Sequence, residues 1–154
     1  MLYYKVKNPQ IAELVLDRFL QTNQQTSIDL LDNYSSFDKY FYNIKNNISK
    51  DVDYKDTFEV NKGWVTLYTK GSTNEFHTHE DQVFIESNSS HLLIQVLETG
   101  TSEENLTLYD NSTKINVPMA AGDIIVFHRS VVHGLETVLD KLRVLVLGIN
   151  FKEA

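Results

Sequence analysis

Cysteine is absent from the 154 residues, which excludes disulfides, thiolate metal centres and a cysteine nucleophile together. Any bound metal must therefore be held by histidine and carboxylate. Proline and glycine are sparse, at two and six residues, and no repeat, low-complexity tract or linker breaks the chain. No apolar run approaches the roughly 20 residues of a membrane span, and the start Met1-Leu2-Tyr3-Tyr4-Lys5 lacks a secretory pattern. The expectation is a soluble, cytoplasmic protein without a membrane partner. Positive charge is in deficit, 14 Lys and Arg against 21 Asp and Glu for a net −7, so a phosphate backbone finds no basic face and a nucleic-acid partner is disfavoured. The acidic surplus reads as a solubility feature.

What is present is ordinary globular material: 42% hydrophobic residues with eight Tyr, eight Phe and one Trp, enough for one core in one domain spanning 1–154. From Pro9, the residues Ile11, Leu14, Val15, Phe19 and Leu20 recur at helical spacing. A second helical rhythm runs from Ile28 through Leu31, Tyr34, Phe37, Phe41 and Ile48, and a charged connector covers 51–56. Beyond Thr57 the composition becomes β-rich. Strands are expected at Gly63–Thr69, at the histidine-bearing segment near residue 77, at His91–Leu97, Leu106–Tyr109, Lys114–Val117, Ile124–Phe127, Val131–His133 and Leu142–Ile149. Turns fall at Lys70-Gly71, Asp110-Asn111-Ser112 and Ala121-Gly122-Asp123. Helices over 1–56 supporting an antiparallel barrel or sandwich over 57–154 follow from this order.

Two of the five histidines stand one residue apart in Phe76-His77-Thr78-His79-Glu80-Asp81. On an extended strand residues 77, 79 and 81 share a face, which offers a metal either His77 with His79 or His79 with Asp81. A third ligand must come from elsewhere, and His133 is the candidate. Two imidazoles and one carboxylate on one side of an ion, with the other positions open, suit Fe(II), and His79, Asp81 and His133 supply that set. Arg143 stands in an otherwise apolar strand, where an unpaired guanidinium would be costly. With the last strand folded back beside the one bearing His133, it would lie about 10 Å from the ligand position and grip the far carboxylate of a small diacid chelated to the metal. His128 and Arg129 read as exposed loop residues beside the site, and His91 as a strand-edge residue.

From Trp64 to Phe151 the chain resembles the Fe(II)- and 2-oxoglutarate-dependent dioxygenases, most closely their prolyl-hydroxylase-like branch. The resemblance rests on Tyr68-Thr69-Lys70-Gly71 leading into His79-Glu80-Asp81, on Ala121-Gly122-Asp123, on His133-Gly134-Leu135-Glu136, and on Arg143 ten residues after His133. It implies a double-stranded β-helix (jelly roll, cupin-like), iron on His79, Asp81 and His133, and 2-oxoglutarate held by Arg143 and Tyr68. It also implies hydroxylation of a C–H bond in a peptide or small molecule, with succinate and CO2 as co-products and no side chain acting as acid, base or nucleophile. Glu103-Glu104-Asn105-Leu106 departs from the family's Gly-rich segment there. His77 competes with His79 for the first ligand position. The pair His79 and Asp81 is preferred because it retains a carboxylate and leaves Phe76 at the bulky position three residues before the first ligand. The cupins are the alternative, since Gly71, His77, His79, Gly122 and His133 reproduce their spacings; that reading implies a metal-dependent isomerase or a non-catalytic small-molecule-binding protein. Oligomeric state is not legible.

Overall fold

The computed structural model describes residues 3–7, 28–29, 59–79 and 89–150. Among the described residues there are ten strands: β1 Tyr3–Lys7, β2 Ile28–Asp29, β3 Glu59–Thr69, β4 Asn74–His77, β5 His91–Thr99, β6 Glu104–Asp110, β7 Thr113–Met119, β8 Asp123–His128, β9 Val132–Leu135 and β10 Lys141–Asn150. They form two antiparallel sheets, one ordered β1-β8-β5-β10-β3-β2 and the other β4-β9-β6-β7. From β3 onward the chain steps from one sheet to the other at nearly every connection, with the β6–β7 hairpin as the exception. That alternation is the winding of a jelly roll.

The turns expected from the sequence sit between these strands. Gly71 and Gly122 have φ of 82° and 94°, and Asn111, at the β6–β7 hairpin, has φ of 56°. Glycine meets no side-chain penalty in that left-handed region, and asparagine tolerates it better than most residues. The inner faces of the two sheets meet in an apolar core that includes Leu92, Ile94, Phe127 and Val144 from the larger sheet and Leu108, Val117 and Met119 from the smaller. The opposite face of the larger sheet is buried too, with Leu93, Leu145 and Leu147 at 0% exposure. A central strand such as β10 therefore reads as a continuous apolar run instead of an alternating one.

Two expectations change. Ile28, taken as the start of a helical rhythm, lies in β2, where Ile28 and Asp29 pair with Val65 and Trp64 on the margin of the larger sheet. Pairing with an otherwise open strand edge satisfies backbone groups, and this outweighs a weak local periodicity. Likewise β10 does not run back beside β9. It pairs with β3 and β5, whereas β9 pairs with β4 and β6, so the segment between them crosses from one sheet to the other. The helices expected over 9–20 and 31–48, and the charged connector, lie outside the described residues; the described residues contain no helix. Two pieces of the region 1–56, β1 and β2, join the larger sheet as its outermost strands.

Candidate metal centre

β4 and β9 lie side by side with His77 directly opposite His133. On its other side, His133 faces Leu108 of β6, so it sits on the middle of three paired strands, 3% exposed and packed on the Phe127 ring at 4.8 Å between centroids. β4 ends at His77. His79 lies two residues further on, fixed by its backbone N–H donating to the Arg129 carbonyl in the turn after β8 (2.9 Å). The three rings converge, with centroid separations of 4.4, 4.9 and 5.1 Å. One ring nitrogen of each lies within 4.8 Å of the others.

The protons on two of these rings follow from their neighbours. His77 Nδ1 is 2.6 Å from the Glu75 carbonyl, and His133 Nδ1 is 2.9 Å from the Val131 carbonyl. A carbonyl only accepts, so each Nδ1 must carry the proton, which leaves each Nε2 lone pair open for a metal. The His133 pKa is lowered to about 3, first by burial; the bond to Val131 acts the other way, and the neighbouring His77 and His79 add to the lowering. At neutral pH this ring is uncharged, the state in which imidazole ligates. The donor set therefore fits a divalent ion such as iron.

The histidines open on a cavity of about 230 Å³ between the sheets. Its other polar lining is Thr66, Tyr68, Asn74 and Glu104; the rest is apolar, including Ile94, Val96, Leu106, Met119 and Val144. Asn74 donates to the Tyr68 hydroxyl (3.3 Å). Burial pushes the Tyr68 pKa above its usual value, so the phenol keeps its proton. Glu104 is 3% exposed and tied to structure: its oxygens accept the backbone N–H groups of Leu139 and Asp140 at 2.8 and 3.1 Å. It thus clamps the crossing between β9 and β10 to the start of β6.

Of the residues expected at the site, His79 and His133 meet, and His77, the competitor, joins them. Tyr68 lines the cavity, and Asp81 lies outside the described residues. Arg143 is elsewhere. Against β3, the register of β10 is unbroken from Lys141 to Gly148, placing Leu142 opposite Tyr68 and Val144 opposite Thr66, all four in the cavity wall. Arg143, between them, belongs to the other face, 4% exposed, with its Nε 3.6 Å from a Glu98 oxygen. His128 is exposed and bonds Ser130, and Arg129 donates to the Ser89 carbonyl. His91, at 8% exposure, packs edge-on against His128. Asn74 and Glu104 were not foreseen. Nothing in the pattern marks Asn74, whereas a carboxylate opening an apolar strand, as in Glu104-Asn105-Leu106, is a signal for a buried, hydrogen-bonded group.

The fold is thus a jelly roll with a histidine cluster lining its inter-sheet cavity. No family model and no curated protein matches the sequence. Solved structures match its fold, among them 2-oxoglutarate Fe(II) oxygenases and prolyl hydroxylases. The collagen prolyl hydroxylase of Paramecium Bursaria Chlorella virus-1, solved as a complex with 2-oxoglutarate, aligns at TM-score 0.69 and 12% identity over 97% of this chain and 95% of its own. A prolyl hydroxylase from Trichoplax adhaerens, solved with a hypoxia inducible factor peptide, aligns at 0.66 and 13% over 96% and 82%. The 2-oxoglutarate-dependent epimerase SnoN from nogalamycin biosynthesis aligns at 0.64 and 12% over 99% and 78%. The chain thus shares the jelly-roll fold of these structures.

Proposed function

We propose that the protein is a single-domain non-haem Fe(II) oxygenase driven by a 2-oxo acid, with 2-oxoglutarate the first cosubstrate to test, and that it hydroxylates a C–H bond of a peptide or small molecule. The observation that carries this reading is the convergence of His77, His79 and His133 at a largely apolar cavity in a fold shared with such enzymes. The three imidazoles would hold the ion. When bound, iron supplies the oxygen chemistry, in which one oxygen atom enters the substrate and the other the decarboxylated acid, giving succinate and CO2 from 2-oxoglutarate. The chain's own residues position and exclude. The Glu75 and Val131 carbonyls orient two rings, and Phe127 packs against the third ligand's ring from the core side. Tyr68, protonated and bonded to Asn74, offers a neutral hydroxyl within the cavity.

The test is anaerobic titration of 2-oxo acids into Fe(II)-loaded protein, read by the weak visible band of bidentate chelation, followed by oxygen consumption with candidate substrates. Iron content of His77→Ala against Asp81→Ala identifies the third ligand. On the histidine-cluster reading, His77→Ala loses the metal and Asp81→Ala keeps it; the reverse result restores the carboxylate as ligand. A cupin-type metal-dependent isomerase or binding protein is the second reading. It is favoured by a ligand cluster made entirely of imidazoles and by Arg143 lying off the cavity. Tight metal binding with no response to any 2-oxo acid would select it.

A further inference from the structure

Every cation whose side chain is described lies away from the cavity. Lys5 pairs with Asp123, Lys114 with Glu136, and Lys141 and Arg143 with Glu98. Arg129 donates to the Ser89 carbonyl, and Lys70 is exposed at the turn after β3. The one charged side chain other than the histidines among the described lining residues is Glu104, and its charge is negative. The apolar part of the wall includes Ile94, Val96, Leu106, Met119 and Val144. The cavity wall thus carries two chemistries. At the cluster, neutral imidazoles leave a divalent ion's charge undiminished, which suits an anionic chelate. The rest is mostly hydrocarbon with the neutral Thr66, Tyr68 and Asn74 among it, and a second carboxylate buried there would meet apolar and uncharged polar side chains and the Glu104 carboxylate, with no described cation to offset its desolvation.

We propose that the cavity selects a 2-oxo acid with an apolar side chain over a dicarboxylic one, the carboxylate and oxo group at the metal and the hydrocarbon tail against β5, β6 and β10. This rests on the metal-oxygenase reading and specifies the acid that it uses. Tyr68 and Asn74 add a neutral polar pair to the wall, with Asn74 opposite Leu135 and not level with the His77–His133 pair. Arg143, on the far face of β10, takes no part in holding the acid.

The experiment compares 2-oxoisocaproate with 2-oxoglutarate on anaerobic Fe(II)-loaded protein, by the visible chelate band and by calorimetry, so that the readout is affinity and not turnover. The expected result is binding of 2-oxoisocaproate tighter by about tenfold or more. Val144→Lys, which places a cation in the cavity wall, should narrow or reverse that ratio, and Arg143→Leu should leave 2-oxoglutarate affinity within about twofold. Equal or tighter binding of 2-oxoglutarate by the unmodified protein overturns the proposal while leaving the oxygenase reading intact, and needs no variant to fold. Loss of 2-oxoglutarate affinity in Arg143→Leu at unchanged iron content overturns it as well. Iron bound with neither acid giving a band overturns both this proposal and the oxygenase reading.

Discussion

Acidification should destabilise the metal-free protein through His133, and by an amount that the structure sets. The ring is 3% exposed, and its pKa falls from 6.5 to about 3, chiefly by burial. Because the folded-state pKa is lowered, the unfolded chain binds the proton first. The contribution to stability is fully present above pH 6.5, is lost as pH falls toward 3, and changes no further once both states are protonated. The full loss is on the order of 4 to 5 kcal/mol, and between about pH 7.5 and pH 5 the linkage relation gives roughly 2 kcal/mol. Urea unfolding of chelator-treated protein at those two pH values, beside His133→Gln, isolates the contribution of the cluster, since titrating groups away from it act alike in both proteins. The stability gap between the two proteins should shrink by about 2 kcal/mol at the lower pH. A gap that stays constant to within about 0.5 kcal/mol would refute the claim that this imidazole is held neutral by burial. Saturating divalent metal should strengthen the dependence further, because protonation then competes with ligation.

Three further outcomes are expected. In Gly134→Ala the new methyl would come within 2.6 Å of the Asn74 carbonyl and 2.7 Å of the Phe76 ring; pushing β4 off β9 should displace His77 and weaken metal affinity by about 10- to 100-fold in equilibrium dialysis. Glu104→Gln replaces one acceptor oxygen with an amide donor facing the backbone N–H groups of Leu139 and Asp140, costing about 1–3 kcal/mol in denaturant midpoint analysis. An unchanged midpoint would show that the clamp carries no net stability. Leu108→Ala, at a site with 0% exposure beside His133, should cost about 2–5 kcal/mol in the same assay.

The fold's strands and turns were legible because their signals are local. Positive-φ turns need glycine or asparagine, and Gly71, Asn111 and Gly122 are spaced to mark the ends of β3, β6 and β7. The histidines stood out for a related reason, since two imidazoles one residue apart with a distant third are a pattern that suits an ion, although His77 was set second to Asp81. Sheet partnership was not legible. Nothing between His133 and Arg143 states whether the chain turns back within one sheet or crosses to the other, and the segment that settles it is held by Glu104, a residue 35 positions before Leu139. β1 and β2 were missed on the same ground, because their pairing with β8 and β3 is long-range.

Arg143 shows why chemistry at a strand position also needs parity. In a strand with one wet face, alternation of polar and apolar residues tells which side chains point inward. Leu142 to Ile149 is buried on both faces, so the pattern carries no phase, and a one-residue shift exchanges an arginine for a valine at the cavity wall. Hydrogen bonding to β3 sets that phase, putting Val144 inside and Arg143 against Glu98. The consequence is electrostatic. A cation on the inner face would make the cavity a receptor for a second carboxylate; on the outer face it becomes part of a Glu98 ion-pair cluster with Lys141. On the proposed reading, the selectivity of the cavity for its acid turns on the register of one strand pair, and a positive charge added one position along β10, as in Val144→Lys, is the change that should narrow or reverse it.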